Sequence, residues 1–334
     1  MLEVANLALL QKLMRRSFAR RTIIYVTSSQ QWTVPAAGVL VIRCLGAGGS
    51  GAAIGSGYAS TMCALGGEAG TVGLKAVHVK EGDVFTLTLG AGGAAASAPG
   101  NSLSNGSDGG TTTVTGPGVD IRIPGGKGGQ RGQPAGGQFL QNDLNEAPTG
   151  LDWFALNARN KGKAGEISGG GAAALLVGGV AHAADGSTHG GGAGVGSSNV
   201  DDIPGSAGSV AGTTLFGEPL AAAVVRPADA SHCWLLLEVS GASYFGGTSG
   251  SGYSDRHYGS GNGGAGASNV GAAGYPGGFG AGGGGATSSS TTAGAGGRGG
   301  GGGATNAGGR GGAAGRSGKG GDAFITLELL EVQP

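Results

Sequence analysis

Glycine supplies 81 of the 334 residues and is concentrated in blocks such as residues 282–285 and 294–303. Because glycine loses more backbone freedom on folding than any other residue, such a content is typical of disordered or fibrous chains. Neither class fits this sequence. The chain is 39% hydrophobic, and its 20 basic residues balance 20 acidic ones, unlike disordered chains. Collagen needs glycine at every third position, whereas residues 299–303 are an unbroken glycine run.

A third glycine-based structure is the polyproline-II helix, which has three residues per turn and no internal hydrogen bonds. Glycine helices of this shape can pack side by side, because no Cβ separates them and each neighbour supplies backbone hydrogen-bond partners. Segments 296–300 and 308–312 fit two lattice-facing glycines and one outward arginine per turn. We therefore predict a lattice of packed polyglycine-II helices. A β-branched residue at Gly283 or Gly300 would prevent its folding.

Short strand-like segments frame the glycine blocks, so the predicted fold class is mostly β and irregular. They are rich in β-branched residues or alternate apolar with polar residues. Residues 116–118, Gly-Pro-Gly, predict a hairpin turn. In the last segment, Thr326 and Glu328 are predicted on one face and three apolar residues on the other. The predicted strands cover residues 23–26, 39–42, 84–89, 111–115, 119–123, 234–239 and 324–329.

Residues 3–20 have an amphipathic helical pattern, in which Leu7, Leu10, Met14 and Phe18 recur at helical spacing. A lone helix of this length does not keep an apolar stripe in water, so we expect it to dock on its own domain, on copies of itself or on a larger assembly. The predicted organisation is an attachment or oligomerisation helix (1–22), a first glycine-rich β part (23–137), an insertion or subdomain (138–233) and a polyglycine-II tip with a closing strand (234–334).

Motifs for catalysis and cofactor binding are weak. Residues 46–51 match GxGxxG after a strand, but no helix follows to bind a dinucleotide phosphate. His182, Asp185 and His189 would supply three metal ligands, and a polar surface loop explains them equally well. The sequence contains no GxSxG nucleophile elbow. We therefore expect no enzyme activity, no cofactor and no metal.

Charge and hydropathy limit the partners further. Gly-Arg-Gly-Gly at Arg298 and Arg310 is similar to RNA-binding segments, but two copies in a net-neutral chain favour outward arginines on glycine helices. The longest apolar stretch, residues 172–181, is far below the about 20 residues of a membrane span. The first residues have no signal-peptide pattern. We expect no nucleic-acid partner, no membrane insertion and no export signal.

Several pieces, in order along the chain, resemble one family. Trp-Thr-Val-Pro-Ala leads into an apolar strand and Gly-Ala-Gly-Gly, and later strand–turn pieces and a closing strand follow. Together they resemble the glycine-rich domain at the ends of tailed-bacteriophage tail fibres and adhesins. The resemblance covers residues 32–130 and about 234–330. The matching pieces are residues 32–36, 46–49, 81–93, 108–113 and 318–327.

The resemblance implies a receptor-binding tip, in which polyglycine-II helices hold loops for contact with the bacterial surface. Rigid aromatic side chains between glycine blocks suit such contacts, since they supply area at low entropy cost. Capping of the lattice edges is the alternative role for these aromatics. The candidate receptor-binding residues are Tyr244, Phe245, Tyr253, Arg256, His257, Tyr258, Tyr275 and Phe279.

The function implied is that of a non-enzymatic adhesin in the virion, at a tail fibre or tail tip. Its receptor would be a host cell-surface protein, pilus or polysaccharide. The helix over residues 3–20 would attach it to other tail or baseplate proteins, and fibre symmetry suggests a homotrimer, made in the host cytoplasm. A structural tail or baseplate component and a polysaccharide-degrading tip are the alternatives.

Overall fold

The structure, a computed structural model, describes residues 18–55, 62–64, 66–68, 70–134, 146–155, 175–177, 180–182, 283, 286–287, 292–306 and 315–332. These residues form strands and no helix, which confirms the mostly β fold class. None of their elements is a helix long and apolar enough to span a membrane. The predicted strand at residues 234–239 lies outside the described residues.

The strands are β1 (Phe18–Val26), β2 (Gln30–Thr33), β3 (Gly38–Leu45), β4 (Ala53–Ile54), β5 (Met62–Ala64), β6 (Val72–Val79), β7 (Val84–Thr88), β8 (Ser97–Ala98), β9 (Leu103–Ser104), β10 (Thr112–Gly116), β11 (Val119–Ile123), β12 (Arg131–Pro134), β13 (Trp153–Ala155), β14 (Leu175–Val177), β15 (Val180–His182), β16 (Ala286–Thr287), β17 (Thr305–Asn306), β18 (Gly315–Arg316) and β19 (Phe324–Val332).

Two antiparallel sheets form a sandwich. The larger sheet has the order β1-β19-β3-β6-β13, and the smaller has the order β11-β10-β7-β2. Alternating apolar residues of both sheets meet between them, as expected for a two-layer β fold. The largest fully buried side chains of this core are Leu40, Ile42, Phe85, Leu87, Ile121, Ile123, Ile325, Leu327 and Leu329. The four remaining small sheets are β16-β17-β4-β9, β12-β5, β14-β15 and β18-β8.

Local sequence patterns predicted six of the nine sandwich strands, namely the end of β1, β3, β7, β10, β11 and β19, and missed β2, β6 and β13. The predicted hairpin is β10 and β11, and Gly118 at its turn has φ +69°, where glycine avoids the clash of a Cβ. In β7, Phe85 and Leu87 are buried and the alternate residues are exposed, as predicted. Thr326 and Glu328 lie opposite the core-facing residues of β19, although both are also buried.

The helix predicted over residues 3–20 is wrong for its last residues, 18–20, which form a strand. Phe18 and Arg20 lie in β1, paired with Val332 and Glu331 of β19. Ladder hydrogen bonds to β19 satisfy this backbone, and such tertiary pairing overrides a weak local helix preference. Residues 3–17, with Leu7, Leu10 and Met14, lie outside the described residues.

Part of the predicted insertion at residues 138–233 belongs to the sandwich. Strand β13 extends the larger sheet through its pairing with β6, and Thr149 bridges to Arg122 of β11. The carboxylate of Asp152 accepts hydrogen bonds from Lys75 Nζ at 2.6 Å and from the Ala76 backbone N–H at 2.8 Å. Residues 146–155 therefore connect the edges of both sheets.

We predict that Cys44, whose side chain is fully buried in the sandwich core, does not react with iodoacetamide at pH 8 in the native protein. Burial raises the pKa of the Cys44 thiol to about 12, so almost no thiolate is present. Peptide mass spectrometry after alkylation, with and without urea, measures this. Native alkylation at the rate found in urea would contradict the buried position.

Candidate functional site

Residues 46–52 follow β3 and form a central segment that is surrounded by other parts of the chain. Backbone hydrogen bonds of 2.7–3.2 Å connect it to six neighbouring segments, and connect each neighbour to the next. We name the central segment and its six neighbours the glycine bundle. The neighbours, in order around the centre, are residues 67–68 with 70–71, 125–129, 105–110, 90–96, 317–322 and 300–305.

Bonds between adjacent neighbours close a ring around the central segment. Every pair of neighbouring segments in the ring is joined, although the segments come from distant parts of the chain. The ring bonds run from the N–H of Glu68 to the carbonyl of Lys127, and likewise from Gly106 to Gly129, Gly110 to Ala91, Gly320 to Gly93, Gly318 to Gly303 and Gly67 to Gly302.

The hydrogen bonds of the central segment repeat every three residues. Gly46 and Gly49 donate to one neighbour, at Thr71 and Glu68. Gly48 and Gly51 donate to a second neighbour, at Gly321 and Gly318, and the carbonyls of Ala47 and Ser50 accept from a third, at Gly126 and Gly129. A β-strand has a two-residue period, and its partners lie in one sheet. The bundle therefore differs from a sheet in both period and direction of pairing.

Glycine is required in the bundle because the backbones are in direct contact. A Cβ on Gly48, Gly49 or Gly51 would overlap the carbonyl oxygen of Gly300, Lys127 or Gly303, respectively. A carbonyl held in a backbone hydrogen bond cannot give way as a flexible side chain can. The three positions are thus closed to every other residue type without movement of a neighbouring segment.

Small side chains occupy the remaining positions of the central segment. Ala47 and Ser50 are fully buried, and the Ser50 Oγ accepts a 2.8 Å hydrogen bond from the Ser107 N–H. The buried hydroxyl therefore has a partner, as buried polar groups require.

Polar side chains connect segments of the bundle to each other and contact the residue that precedes β19. Asp322 Oδ1 accepts hydrogen bonds from the Gly92 N–H at 2.8 Å and from Lys319 Nζ at 2.9 Å. Burial raises the pKa of Asp322, but these two bonds and the positive charges of Lys319 and Arg298 outweigh burial, and the pKa is lowered. The predicted outward arginine, Arg298, instead donates to the carbonyl of Ala323 at 3.2 Å, from the turn at Gly299.

Short strands lie at the end of the bundle away from the sandwich. The central segment leads from β3 in the sandwich to β4, which pairs with β17 and β9. Gly55 donates to the carbonyl of Ser102, in the turn that connects β8 and β9. Segments that are distant in the sequence, namely β4, β17 and the β8–β9 turn, therefore meet at this distal end.

The structure does not test the proposed contact residues. All eight candidate receptor-binding residues lie outside the described residues. Of the alternative metal set, His182 lies in β15, whereas Asp185 and His189 are not described. Within the described ranges, no group of three or more His, Cys, Asp or Glu residues could hold a metal.

Sequence reasoning underestimated the N-terminal half of the bundle. The lattice was predicted mainly from the long glycine blocks after residue 280, yet the central segment is 46–52 and four of its six neighbours precede residue 130. A signal was present, because Gly-Gly pairs recur at residues 48–49, 66–67, 92–93, 109–110, 125–126 and 128–129.

No known protein-family model matches the chain, and no curated protein matches it either.

Proposed function

We propose that the glycine bundle is a lattice of polyglycine-II helices. The three-residue period of the hydrogen bonds supports this, since this helix has three residues per turn and no internal hydrogen bonds. Six neighbours around one segment are the number expected for side-by-side packing of rods. The seven residues of the central segment would then span about 22 Å at about 3.1 Å per residue.

We further propose that the chain is a non-enzymatic adhesin of a tailed bacteriophage, located in the virion at a tail fibre or tail tip. The observation that carries this proposal is the closed ring around residues 46–52, because it is a rigid support with little side-chain chemistry of its own. Such a support suits recognition by segments that it holds at its distal end. The order of sequence pieces that resemble phage adhesins adds to this argument.

The proposed contact set is the aromatic group between the glycine blocks, from Tyr244 to Phe279. Large, rigid side chains give contact area at low conformational entropy cost. The proposed receptor is a host surface protein, pilus or polysaccharide. The proposed assembly is a homotrimer attached to other tail or baseplate proteins through the N-terminal segment.

An adsorption assay tests the proposal. We expect the purified protein to bind host cells and to block infection by the phage at micromolar concentration. Tyr258→Ala and Tyr275→Ala should reduce binding without loss of folding, which circular dichroism would check. Tyr25→Ala is the matched control, because Tyr25 lies on β1 of the sandwich, and it should leave binding unchanged.

Two other outcomes would replace the adhesin proposal. Absence of adsorption at micromolar concentration, with the protein present in purified tails, would favour a structural tail or baseplate component. Release of reducing sugar from host polysaccharide would establish a polysaccharide-degrading tip.

A further inference from the structure

The larger sheet has a buried strip on its outer face, the face directed away from the smaller sheet. Val39 and Val41 of β3 and Leu330 of β19 are at most 8% exposed, yet none belongs to the core between the two sheets. Glu328, between Val41 and Ile23 in the register, is also buried. Because burial refers to a single chain, another part of the same chain covers these residues. We name these four residues the outer strip.

The outer strip is two strands wide. On β6, Ala76 and His78 pair with Val41 and Val39 on the same face, and both are exposed. On the other side, Arg21 of β1 pairs with Leu330 and is also exposed. Two strands about 4.8 Å apart give a strip about 10 Å wide. This width matches the diameter of one α-helix with its side chains, which is about 10–12 Å.

A buried ionic cluster lies in the same strip. Glu328 Oε1 is 2.6 Å from Arg21 Nε, and Glu328 Oε2 is 2.5 Å from Arg43 Nη2. The Glu328 side chain is 4% exposed and that of Arg43 is 12% exposed, so water is largely excluded above them. The segment that covers the outer strip must therefore pack on the Glu328–Arg43 ion pair as well as on the valine and leucine side chains.

The ends of the strip limit which segment covers it. At one end, Gly299 packs against the Leu45 side chain, so the turn at residues 298–299 covers that end. The other end lies beside the start of β1, where Phe18 pairs with Val332 and Gly38 pairs with Glu331. Residues 3–17 lead into β1 at this second end.

We propose that residues 3–14 lie as an amphipathic helix along the outer strip, with Leu7, Leu10 and Met14 against it and residues 15–17 as the turn into β1. Twelve helical residues span about 18 Å. The five residues of β3 from Val39 to Arg43 span about 17 Å, so helix and strip agree in length. A helix on a sheet face is a common two-layer arrangement. The basic side chains of Lys12, Arg15 and Arg16 then remain at the outside for other partners.

Engineered disulfides test this placement in the full-length chain. Val41→Cys is combined in turn with Leu7→Cys, Leu10→Cys or Met14→Cys, and with Ala8→Cys as the control on the opposite side of the helix. A disulfide needs Cβ atoms about 3.5–4.5 Å apart. We expect mild oxidation to give an intramolecular disulfide in at least one of the first three variants and none in the control. Peptide mass spectrometry distinguishes it from bonds to native cysteines.

Other outcomes overturn the proposal. A disulfide between two chains would show that a second copy covers the strip, and absence of any disulfide would point to another segment, such as the β14–β15 hairpin. As a second measurement, removal of residues 1–14 should make Val41→Cys reactive toward a thiol reagent, whereas continued protection would contradict the helix placement. Neither readout involves host adsorption, so this inference and the adhesin proposal fail separately.

Discussion

Gly49→Ala should lower the free energy of unfolding by about 4 kcal/mol, although it adds a single methyl group. The new Cβ would overlap the Lys127 carbonyl oxygen, and overpacking of this kind costs about 1–3 kcal/mol. Movement of the central segment would also break the bonds from Gly49 N to Glu68 O and from Gly302 N to Gly49 O. Each buried N–H or carbonyl group that is left without a partner costs about 1–3 kcal/mol more. Urea unfolding followed by circular dichroism measures the change.

Gly100→Ala is the matched control for this substitution. Gly100 lies in the turn between β8 and β9 with φ +50°, and an added Cβ would meet nothing within 4 Å. Its cost should be limited to the left-handed backbone, about 1–2 kcal/mol. If Gly49→Ala cost no more than Gly100→Ala, the close backbone packing of the bundle would be wrong.

Glu328→Gln should lower the free energy of unfolding by about 3–5 kcal/mol, because it leaves Arg43 and Arg21 without their buried carboxylate. Glu331→Gln is the control on the same strand, since its partner Arg20 is 72% exposed. A surface pair of this kind contributes about 0–1 kcal/mol. Equal effects of the two substitutions would contradict the buried cluster.

The effect of Glu328→Gln should also depend on pH. Burial raises the pKa of Glu328, but Arg43 and Arg21 outweigh burial, and the pKa lies below its ordinary value of 4.5. A carboxyl group whose folded pKa is lowered stabilises the fold above its unfolded pKa, and this stabilisation disappears as pH falls through the folded pKa. The difference between wild type and variant should therefore be constant above pH 4.5 and shrink below it. A difference that does not change with pH would contradict the assigned ionisation.

Six of the nine sandwich strands could be predicted from the sequence, because their signals are local, whereas β2, β6 and β13 were not predicted. Alternation in β7 and the Gly-Pro-Gly turn after β10 depend on neighbouring residues alone. The order of strands could not be predicted in the same way. Strand β19, at the carboxyl end, lies between β1 and β3 from the first 45 residues, and no local pattern encodes a pairing across such a separation. The same pairing explains why Phe18 lies in a strand and not in the predicted helix.

Glycine content predicted close packing of backbones, but it could not identify which segments are neighbours. A glycine has no side chain to specify a partner, so each segment carries the same pattern and the arrangement is set by the connections to the strands. Segment 317–322 enters the bundle because it leads directly into β19, and segment 46–52 because it leaves β3. Side chains such as Ser50 and Asp322 then fix the register at single points.

The proposed polyglycine-II lattice is tested most directly by NMR couplings across hydrogen bonds in a deuterated sample. We expect correlations from the Gly46 and Gly49 N–H groups to the carbonyls of Thr71 and Glu68, and from those of Gly48 and Gly51 to the carbonyls of Gly321 and Gly318. Partners that repeat every three residues would agree with the lattice. Partners that alternate every two residues between two neighbouring strands would contradict it.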